Sequence, residues 1–299
     1  MNKNTVAGIF AILFWSTNVA FSRSLAEQLG VLTAGTIMFL AGGALSLAYQ
    51  AWRERGLGFL RRSLHASPRY LLAGGAIFVT NVVTLELAVG LATSRTQTLI
   101  AGLINYLWPA LSLALAPVFL KKKARWFLAV GMALALGGMY LASTQGEVLN
   151  PGEALSQPGA LAVYALALVA AVTWGLYSNL SKKWAGDQDS GSVPLFLLVC
   201  GLLMLVFRLL HPEVSAPGPT APFEMAYMIV FPTILAYIFW DAAMRKGQMI
   251  LVVSLSYFIP LFSTVISSLR LGVTPGPSLW AAAVMIIAGA LVCKTAVSE

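Results

Sequence analysis

The sequence predicts an all-α polytopic membrane protein, with ten transmembrane helices arranged as two inverted five-helix repeats and both termini in the cytoplasm. Three observations carry this prediction: the apolar composition, the alternation of basic clusters between apolar runs, and residues that recur at constant separations. Of the 299 residues, 59% are hydrophobic and only 10% are charged, whereas soluble domains carry about 25% charged residues. A spanning helix needs roughly 20 residues, so ten helices leave no length for a sizeable soluble domain.

Ten apolar runs account for most of the chain. They cover residues 5–22, 31–51, 70–92, 96–119, 126–144, 159–181, 193–210, 224–243, 249–270 and 277–293. The longest connections, 52–69, 145–158 and 211–223, are too short to fold alone. The first run faintly resembles a signal peptide, because Lys3 precedes it. We expect a retained helix, since the polar Ser16-Thr17-Asn18 lies within it and it has a counterpart later in the chain.

The basic residues fix the expected orientation. With a cytoplasmic N-terminus, all but four of the 19 Lys and Arg residues fall on the cytoplasmic side. The four exceptions are Arg23, Arg95, Arg208 and Arg270. This asymmetry follows the positive-inside rule and supports the count of ten spans, because a missed helix would scramble the alternation.

Composition also excludes several classes of protein. The net charge of +8 lies in short clusters between apolar runs rather than on one face, so we expect no nucleic-acid partner. Cys200 and Cys293 lie within apolar runs, and the two histidines, His65 and His211, lie outside them. Neither a disulfide framework nor a metal site is expected from these residues. Without a nucleophile beside a base, a membrane-embedded enzyme is disfavoured, and no cofactor is expected.

An internal repeat divides the chain into halves at residues 1–147 and 156–299. Gln97, Tyr106 and Pro109 recur as Gln248, Tyr257 and Pro260, each pair 151 residues apart. Trp15 and Ser22-Arg23 recur as Trp174 and Ser181-Lys182, 159 residues apart. Because each half holds an odd number of spans, the second half enters the membrane from the opposite side. Inverted repeats are typical of secondary transporters that work by alternating access.

These residues carry a family resemblance. The two Tyr-x-x-Pro pairs, the tryptophan in the first helix of each half and the topology resemble the drug/metabolite transporter superfamily, in its ten-helix form built from EamA-type repeats. Within it the chain is most similar to the YddG-type aromatic amino acid exporters of bacterial inner membranes. The resemblance implies a multi-pass inner-membrane protein that exports aromatic or other bulky neutral amino acids. It also implies a central cavity lined by the first four helices of each half, with helices five and ten as a peripheral scaffold.

Prolines within the spans are candidate hinges. A helical proline leaves the carbonyl four residues earlier without its usual partner. Pro109 would free the carbonyl of Asn105, and Pro260 that of Ser256. Such polarity is tolerated in a membrane only where it faces protein or a water-filled cavity. The alternative for either proline is a kink that only improves packing.

Deep aromatic residues are candidate substrate contacts. Buried indole and phenol groups need polar partners, so they point inward more often than outward. The alternative for each is ordinary core packing. The candidates are Trp15, Tyr106, Trp108, Trp174, Tyr177, Tyr237 and Tyr257. We expect the substrate to lie between Trp15, Tyr106, Trp174 and Tyr257.

Polar and charged groups within the spans complete the candidate site. Glu86 precedes Arg95 by nine residues, about 13 Å at 1.5 Å per residue, and a carboxylate at that depth needs a partner or a function. It could carry a coupling proton, meet an amino group, or be neutral and hydrogen-bonded. Asp241 is explained by an i,i+4 ion pair with Arg245. Further candidates are Asn18, Asn81, Asn105, Asn179 and Ser256.

The absence of basic residues from the middle of the spans narrows the substrate. An anionic substrate would need buried cations, so carriers of phosphorylated compounds are disfavoured. A small neutral zwitterion, an apolar compound or a cation remains open. The alternative function is a broad-specificity efflux carrier of lipophilic cations or other small metabolites, for which Glu86 would be essential.

Overall fold

The computed structural model describes residues 2–56, 58, 67–185, 192–271 and 276–297. Within these ranges the regular elements are helices, apart from one isolated antiparallel bridge between Ala124 and Val297. The helices are α1 (Lys3–Ser16), α2 (Asn18–Leu29), α3 (Val31–Arg53), α4 (Arg69–Leu91), α5 (Arg95–Asn105), α6 (Trp108–Leu120), α7 (Leu128–Thr144), α8 (Pro151–Ser156), α9 (Ala160–Ala185), α10 (Val193–Leu210), α11 (Ala221–Lys246), α12 (Met249–Leu255), α13 (Ile259–Leu271) and α14 (Pro277–Ala296).

Eight helical segments of the described chain are long and apolar enough to cross a membrane. They are Val31–Arg53, Arg69–Leu91, Thr96–Leu120, Ala160–Ala185, Val193–Leu210, Ala221–Lys246, Met249–Ile266 and Pro277–Ala296. The two remaining apolar runs of the sequence form shorter helices. The run 126–144 gives α7, which has 17 residues, and the run 5–22 is divided between α1 and α2. The all-α fold is confirmed, and the count of ten spans stays a prediction.

The first apolar run breaks at Thr17. The Thr17 amide and hydroxyl both donate to the Phe14 carbonyl, at 3.2 and 2.7 Å, and the Ser16 hydroxyl donates to the Ile12 carbonyl at 2.8 Å. Side-chain bonds of this kind compete with the helical ladder and bend or end helices. The single helix expected over 5–22 is therefore two helices, and α2 packs against α3 and the beginning of α11.

The two repeated prolines begin helices. α5 ends at Asn105, Tyr106 and Leu107 form a turn, and Pro109 lies in the first turn of α6. In the second half, a 3₁₀ turn at Ser256–Phe258 precedes α13, and Pro260 lies in the first turn of that helix. A proline at a helix start has no hydrogen bond to lose. Each proline thus marks an interruption of its span rather than a kink in a continuous helix.

A π-helical segment occurs in the helix that the third apolar run of each predicted half forms. In α4 it covers Arg69–Gly74, and in α11 it covers Ile229–Leu235 and includes Pro232. In the wider turn of a π-helix some backbone carbonyls lose their usual N–H partner, and these carbonyls can accept hydrogen bonds from other groups. π-Helical turns are rare and concentrate at functional sites.

Close packing of small residues joins helices from the two halves. α7 packs along α14, and a Cβ atom added to Gly289 would lie 2.5 Å from the Ala135 amide nitrogen. α3 packs along α10 in the same way, with Gly43 against Leu198 and Gly201 against Leu40. Gly131, Ala135 and Gly138 of α7 therefore face Ala282 and Gly289 of α14, in the small-xxx-small manner of membrane helices.

Candidate functional site

An aromatic cluster fills the centre of the bundle where five helices meet. We define it by its rings: Trp15 of α1, Phe78 of α4, Trp108 of α6, Trp174 and Tyr177 of α9, and Tyr237 and Trp240 of α11. Neighbouring ring centroids lie between 5.1 and 6.1 Å apart, within the range of direct stacked and edge-to-face contacts. Helices from both halves therefore contribute rings to one contiguous surface.

The two repeat-related tryptophans meet in this cluster. The Trp15 and Trp174 rings are 5.7 Å apart in an edge-to-face arrangement. The Trp15 indole N–H donates to the Pro232 carbonyl at 3.1 Å, which ties α1 to the π-helical segment of α11. Trp174 is buried and stacks on Tyr177, with centroids 5.3 Å apart. Two residues that are 159 positions apart in the sequence, one in each predicted half, are therefore in contact in the structure.

Glu86 lies on α4, about two helical turns beyond Phe78 of the cluster. Its carboxyl is within electrostatic range of the Tyr237 hydroxyl and the Cys200 thiol. A Cβ atom added to Gly35 would lie 3.5 Å from Glu86 Oε2, so the glycine leaves space next to the carboxyl. Among the residues that the structure describes, no hydrogen bond or ion pair engages the Glu86 side chain. An acid in this position can receive an amino group or a proton.

A second polar group, which we call the Asp241 cluster, comprises Tyr70, Tyr177, Asp241 and Arg245. The hydroxyls of Tyr70 and Tyr177 each donate to Asp241 Oδ1 at 2.8 Å. Arg245 binds the other oxygen through Nε at 2.8 Å and Nη2 at 2.7 Å. The i,i+4 ion pair predicted from the sequence is confirmed. The two tyrosine donors were not predicted, because they come from α4 and α9 and share no sequence spacing with Asp241.

The asparagines divide into bonded and open groups. Asn81 donates to the Ala170 carbonyl at 2.8 Å, and Asn179 donates to the Ser112 and Gly175 carbonyls, both at 2.9 Å. These bonds hold α4 and α6 against α9. In Asn18 and Asn105 the side-chain carbonyl oxygen is buried and has no hydrogen-bond partner in the described chain, and the same holds for the carbonyl oxygen of Asn179, whose amide nitrogen is bonded. These oxygens can accept a bond from a bound molecule.

Tyr106 and Tyr257 make no ring contact with the aromatic cluster in the described chain, although Tyr257 belongs to the same buried core and Tyr106 packs against it. Tyr106 and Pro260 line a cavity of about 170 Å³ between α5, α7 and α13, together with Ser143 and Ser263. Tyr257 is fully buried, and its hydroxyl finds no partner among the described residues. Ser256 donates to the Val253 carbonyl at 2.6 Å. Of the four residues expected to surround one substrate, Trp15 and Trp174 are in contact, and the two tyrosines make no ring contact with them in the described chain.

Sequence reasoning missed two rings of the cluster, Phe78 and Trp240. Trp240 is fully buried, contacts Trp15 at 5.3 Å and donates its indole N–H to the Ser178 hydroxyl at 3.3 Å. Its position directly before Asp241, within an apolar run, was the available signal. A tryptophan next to a buried ionised residue must share the protein interior with it rather than face lipid.

The cluster has the chemistry to hold an aromatic side chain but is closed in this conformation. A ring stacks on another at about 3.5–4 Å, the optimal separation of carbon atoms. Inserting a ring between Trp15 and Trp174 therefore requires their present 5.7 Å separation to increase. Binding and opening are thus coupled, because a guest ring replaces contacts that the two halves now make with each other.

Comparisons with known proteins identify the family of the chain. The EamA-like transporter family matches residues 3–144 and 161–294. The aromatic amino acid exporter YddG of Salmonella typhimurium is 30% identical over 296 residues, which cover 97% of this chain and 96% of that protein. The aromatic amino acid exporter YddG of Escherichia coli is 28% identical over 293 residues, with 97% and 96% coverage. A solved crystal structure at 24% identity superposes with a TM-score of 0.81 over 98% of this chain and 97% of its own, which shows the fold alone.

Proposed function

The chain belongs to the EamA-like transporter family and is a multi-pass membrane transporter rather than an enzyme, and from that premise we propose that it exports aromatic or other bulky neutral amino acids across the bacterial inner membrane. The proposal includes ten spans, cytoplasmic termini and two inverted halves, 1–147 and 156–299, that work by alternating access. Exporters of aromatic amino acids among the relatives support an amino acid as the substrate.

One observation carries the choice of substrate: Trp15 and Trp174 meet at the boundary of the predicted halves, and Tyr237 contacts both rings. Tyr237 also links these rings to Glu86, because its ring contacts Trp15 at 5.4 Å and its hydroxyl is within electrostatic range of Glu86. An aromatic amino acid presents a ring and an ammonium group a few ångströms apart. The aromatic cluster suits the ring, and Glu86 suits the ammonium group.

The remaining candidates fall into groups with different roles in the proposed site. Trp108 and Tyr177 lie in the same aromatic cluster as Trp15, Trp174 and Tyr237. The open amide oxygens of Asn18 and Asn105 offer further acceptors for a substrate ammonium group. Asn81, Tyr106, Ser256 and Tyr257 would contribute after a rearrangement, and Pro109 and Pro260 would serve as hinges, because both begin helices at interruptions of their spans. Besides binding the ammonium group, Glu86 is a candidate for carrying a coupling proton.

Counterflow in proteoliposomes tests the function. Labelled phenylalanine, tryptophan, leucine and a lipophilic cation are offered at equal internal and external pH. The proposal expects exchange of the amino acids and none of the cation. Uptake of the cation alone would overturn it and favour the alternative, a broad-specificity efflux carrier for cations or other small metabolites.

Two sets of variants test the site. Glu86→Gln keeps a hydrogen-bond acceptor, so a zwitterion carrier should retain measurable phenylalanine exchange with a higher apparent KM, whereas a cation carrier should lose activity. Alanine at Trp15, Tyr106, Trp174 and Tyr257 together should abolish saturable exchange. If the quadruple variant keeps the wild-type rate and apparent affinity, the site is wrong. Single variants then separate the Trp15–Trp174 contact from Tyr106 and Tyr257.

A further inference from the structure

The helices around the aromatic cluster form two pairs, each made of a helix from the first apolar run of one predicted half and the helix that the third apolar run of the other half forms. α1 packs along α11, and Trp15 bonds the π-helical segment of α11. α9 packs along α4, and Tyr177 approaches Tyr70 of the π-helical segment of α4, with the hydroxyls 3.3 Å apart. The repeat thus places the same arrangement on both sides of the cluster.

The Asp241 cluster joins these two pairs. Asp241 and Arg245 belong to α11, whereas Tyr70 and Tyr177 belong to α4 and α9. The Trp240 indole, which donates to Ser178 of α9, crosses the same boundary. These contacts all lie towards one end of the bundle, where Arg69, Lys182, Lys183, Arg245 and Lys246 also occur. In the proposed orientation this is the cytoplasmic end.

We propose that the bonds from the Tyr70 and Tyr177 hydroxyls to Asp241 are the contact that closes the cytoplasmic end of the transporter, with Asp241 as a positioning residue. This inference rests on the proposed function, because it assumes that the two helix pairs separate during transport. Asp241 contacts no substrate in this role. It holds Tyr177 against Trp174 and holds the two helix pairs together below the aromatic cluster.

The arrangement of charge makes this contact reversible. Arg245 lies one turn beyond Asp241 on the same helix, so the ion pair moves as a unit when α11 leaves α4 and α9. Opening therefore breaks bonds from neutral hydroxyls and exposes a neutralised pair to water. It does not leave a bare charge in the membrane interior, which would be strongly unfavourable. Water replaces the carboxylate as the partner of the tyrosine hydroxyls, so opening costs only the net difference between the two bonds and leaves no buried donor unpaired.

Cys200 provides a native reporter for opening. Its thiol is fully buried, lies within electrostatic range of Glu86 and Tyr237, and belongs to the middle of α10. A membrane-impermeant thiol reagent can reach it only when the centre of the bundle opens to the side from which the reagent is added. Replacing the other cysteine by Cys293→Ala makes the signal specific. The assay needs no substrate, so it remains informative if the counterflow experiment rejects amino acids.

Tyr70→Phe is the primary variant, because it removes one hydroxyl and keeps the buried ring. We expect the labelling rate of Cys200 from the cytoplasmic side to rise about tenfold, the change that loss of one hydrogen bond to a charged acceptor produces. Labelling from the opposite side should stay the same or fall. Asp241→Asn in the same background should raise cytoplasmic labelling further, and a following Tyr70→Phe substitution should then add little.

Tyr227→Phe is the matched control. The Tyr227 hydroxyl bonds the Thr17 hydroxyl at 2.9 Å, and this contact stays within the group formed by α1, α2 and α11. The control removes a tyrosine hydroxyl whose bond, to a neutral hydroxyl, does not cross the boundary between the helix pairs, so both labelling rates should remain within about twofold of the parent. The proposal is overturned if Tyr70→Phe leaves Cys200 labelling unchanged, raises it equally from both sides, or raises it no more than Tyr227→Phe.

Discussion

The buried ion pair of Asp241 and Arg245 permits a quantitative prediction of stability. Both side chains are nearly inaccessible, with 5% and 6% of their surface exposed, and their charged atoms are 2.7 Å apart. Removing one partner of such a pair leaves an uncompensated buried charge, which costs about 3–5 kcal/mol. We expect Asp241→Asn to destabilise the protein by this amount, because the asparagine still accepts from a tyrosine but no longer neutralises Arg245.

Arg245→Met should cost less, about 3 kcal/mol at the lower end of that range, because two tyrosine hydroxyls at 2.8 Å remain to solvate the carboxylate. In the double variant neither charge is left, so its cost should be below about 2 kcal/mol. The coupling energy between the two sites is therefore expected to be about 4 kcal/mol or more, in the favourable direction.

The four proteins of this cycle are compared by equilibrium unfolding with SDS in mixed micelles, with the change in tryptophan fluorescence as the signal. Free energies of unfolding are extrapolated to the same detergent composition. Additive losses in the double variant, about 6 kcal/mol or more, would refute the reasoning. Losses below about 1 kcal/mol in both single variants would also refute it, because they are typical of solvent-exposed pairs.

Three further predictions use single contacts. Gly289→Ala should destabilise the protein by about 1–3 kcal/mol, because the added Cβ would lie 2.5 Å from the Ala135 amide nitrogen. Gly102→Ala is the control: its Cβ would meet open space, so the substitution should be neutral or stabilising by up to about 1 kcal/mol. Glu213→Gln should lower stability by about 1 kcal/mol and speed amide exchange at the start of α3, since its carboxylate caps that helix at 2.8 and 3.0 Å. Trp15→Phe should cost about 1 kcal/mol through the lost bond to Pro232, measured by the same SDS titration, and equal stability would contradict the bond.

Hydropathy determined most of the fold in advance. Apolar runs of about 20 residues can satisfy their backbone in a membrane only as helices, so the runs at 31–51, 159–181 and 277–293 correspond directly to α3, α9 and α14. The break at Thr17 and the π-helical segments were not predictable from hydropathy. The break depends on competition between the Thr17 hydroxyl and the backbone hydrogen bonds of the helix. The π-helical segment of α11 depends on a neighbouring helix that supplies a donor, the Trp15 indole, to the Pro232 carbonyl.

The candidate site was predictable where symmetry brings equivalent residues together. Trp15 and Trp174 occupy equivalent places in the repeat and meet near the boundary of the halves. Tyr106 and Tyr257 are equally equivalent, but one lies at a small cavity and the other in the buried interior. Sequence gives the depth of a residue along its helix but not the direction in which it points when flanking residues are uniformly apolar. Tyr70 was missed for the same reason.

The two predicted halves differ in charge distribution, and this difference has a functional consequence under the proposed mechanism. α4 and α11 both carry a π-helical segment, yet α11 contains the paired Asp241 and Arg245 whereas α4 contains Glu86, which has no partner among the described residues. A symmetric exchange of conformations would give both end states similar energies. Under the proposal that a charged contact closes only the Asp241 end, the two states should differ in electrostatic energy even without substrate. The resting preference of the transporter should therefore follow Asp241, while substrate selection follows Glu86 and the aromatic cluster, so the two properties should be separable by mutation.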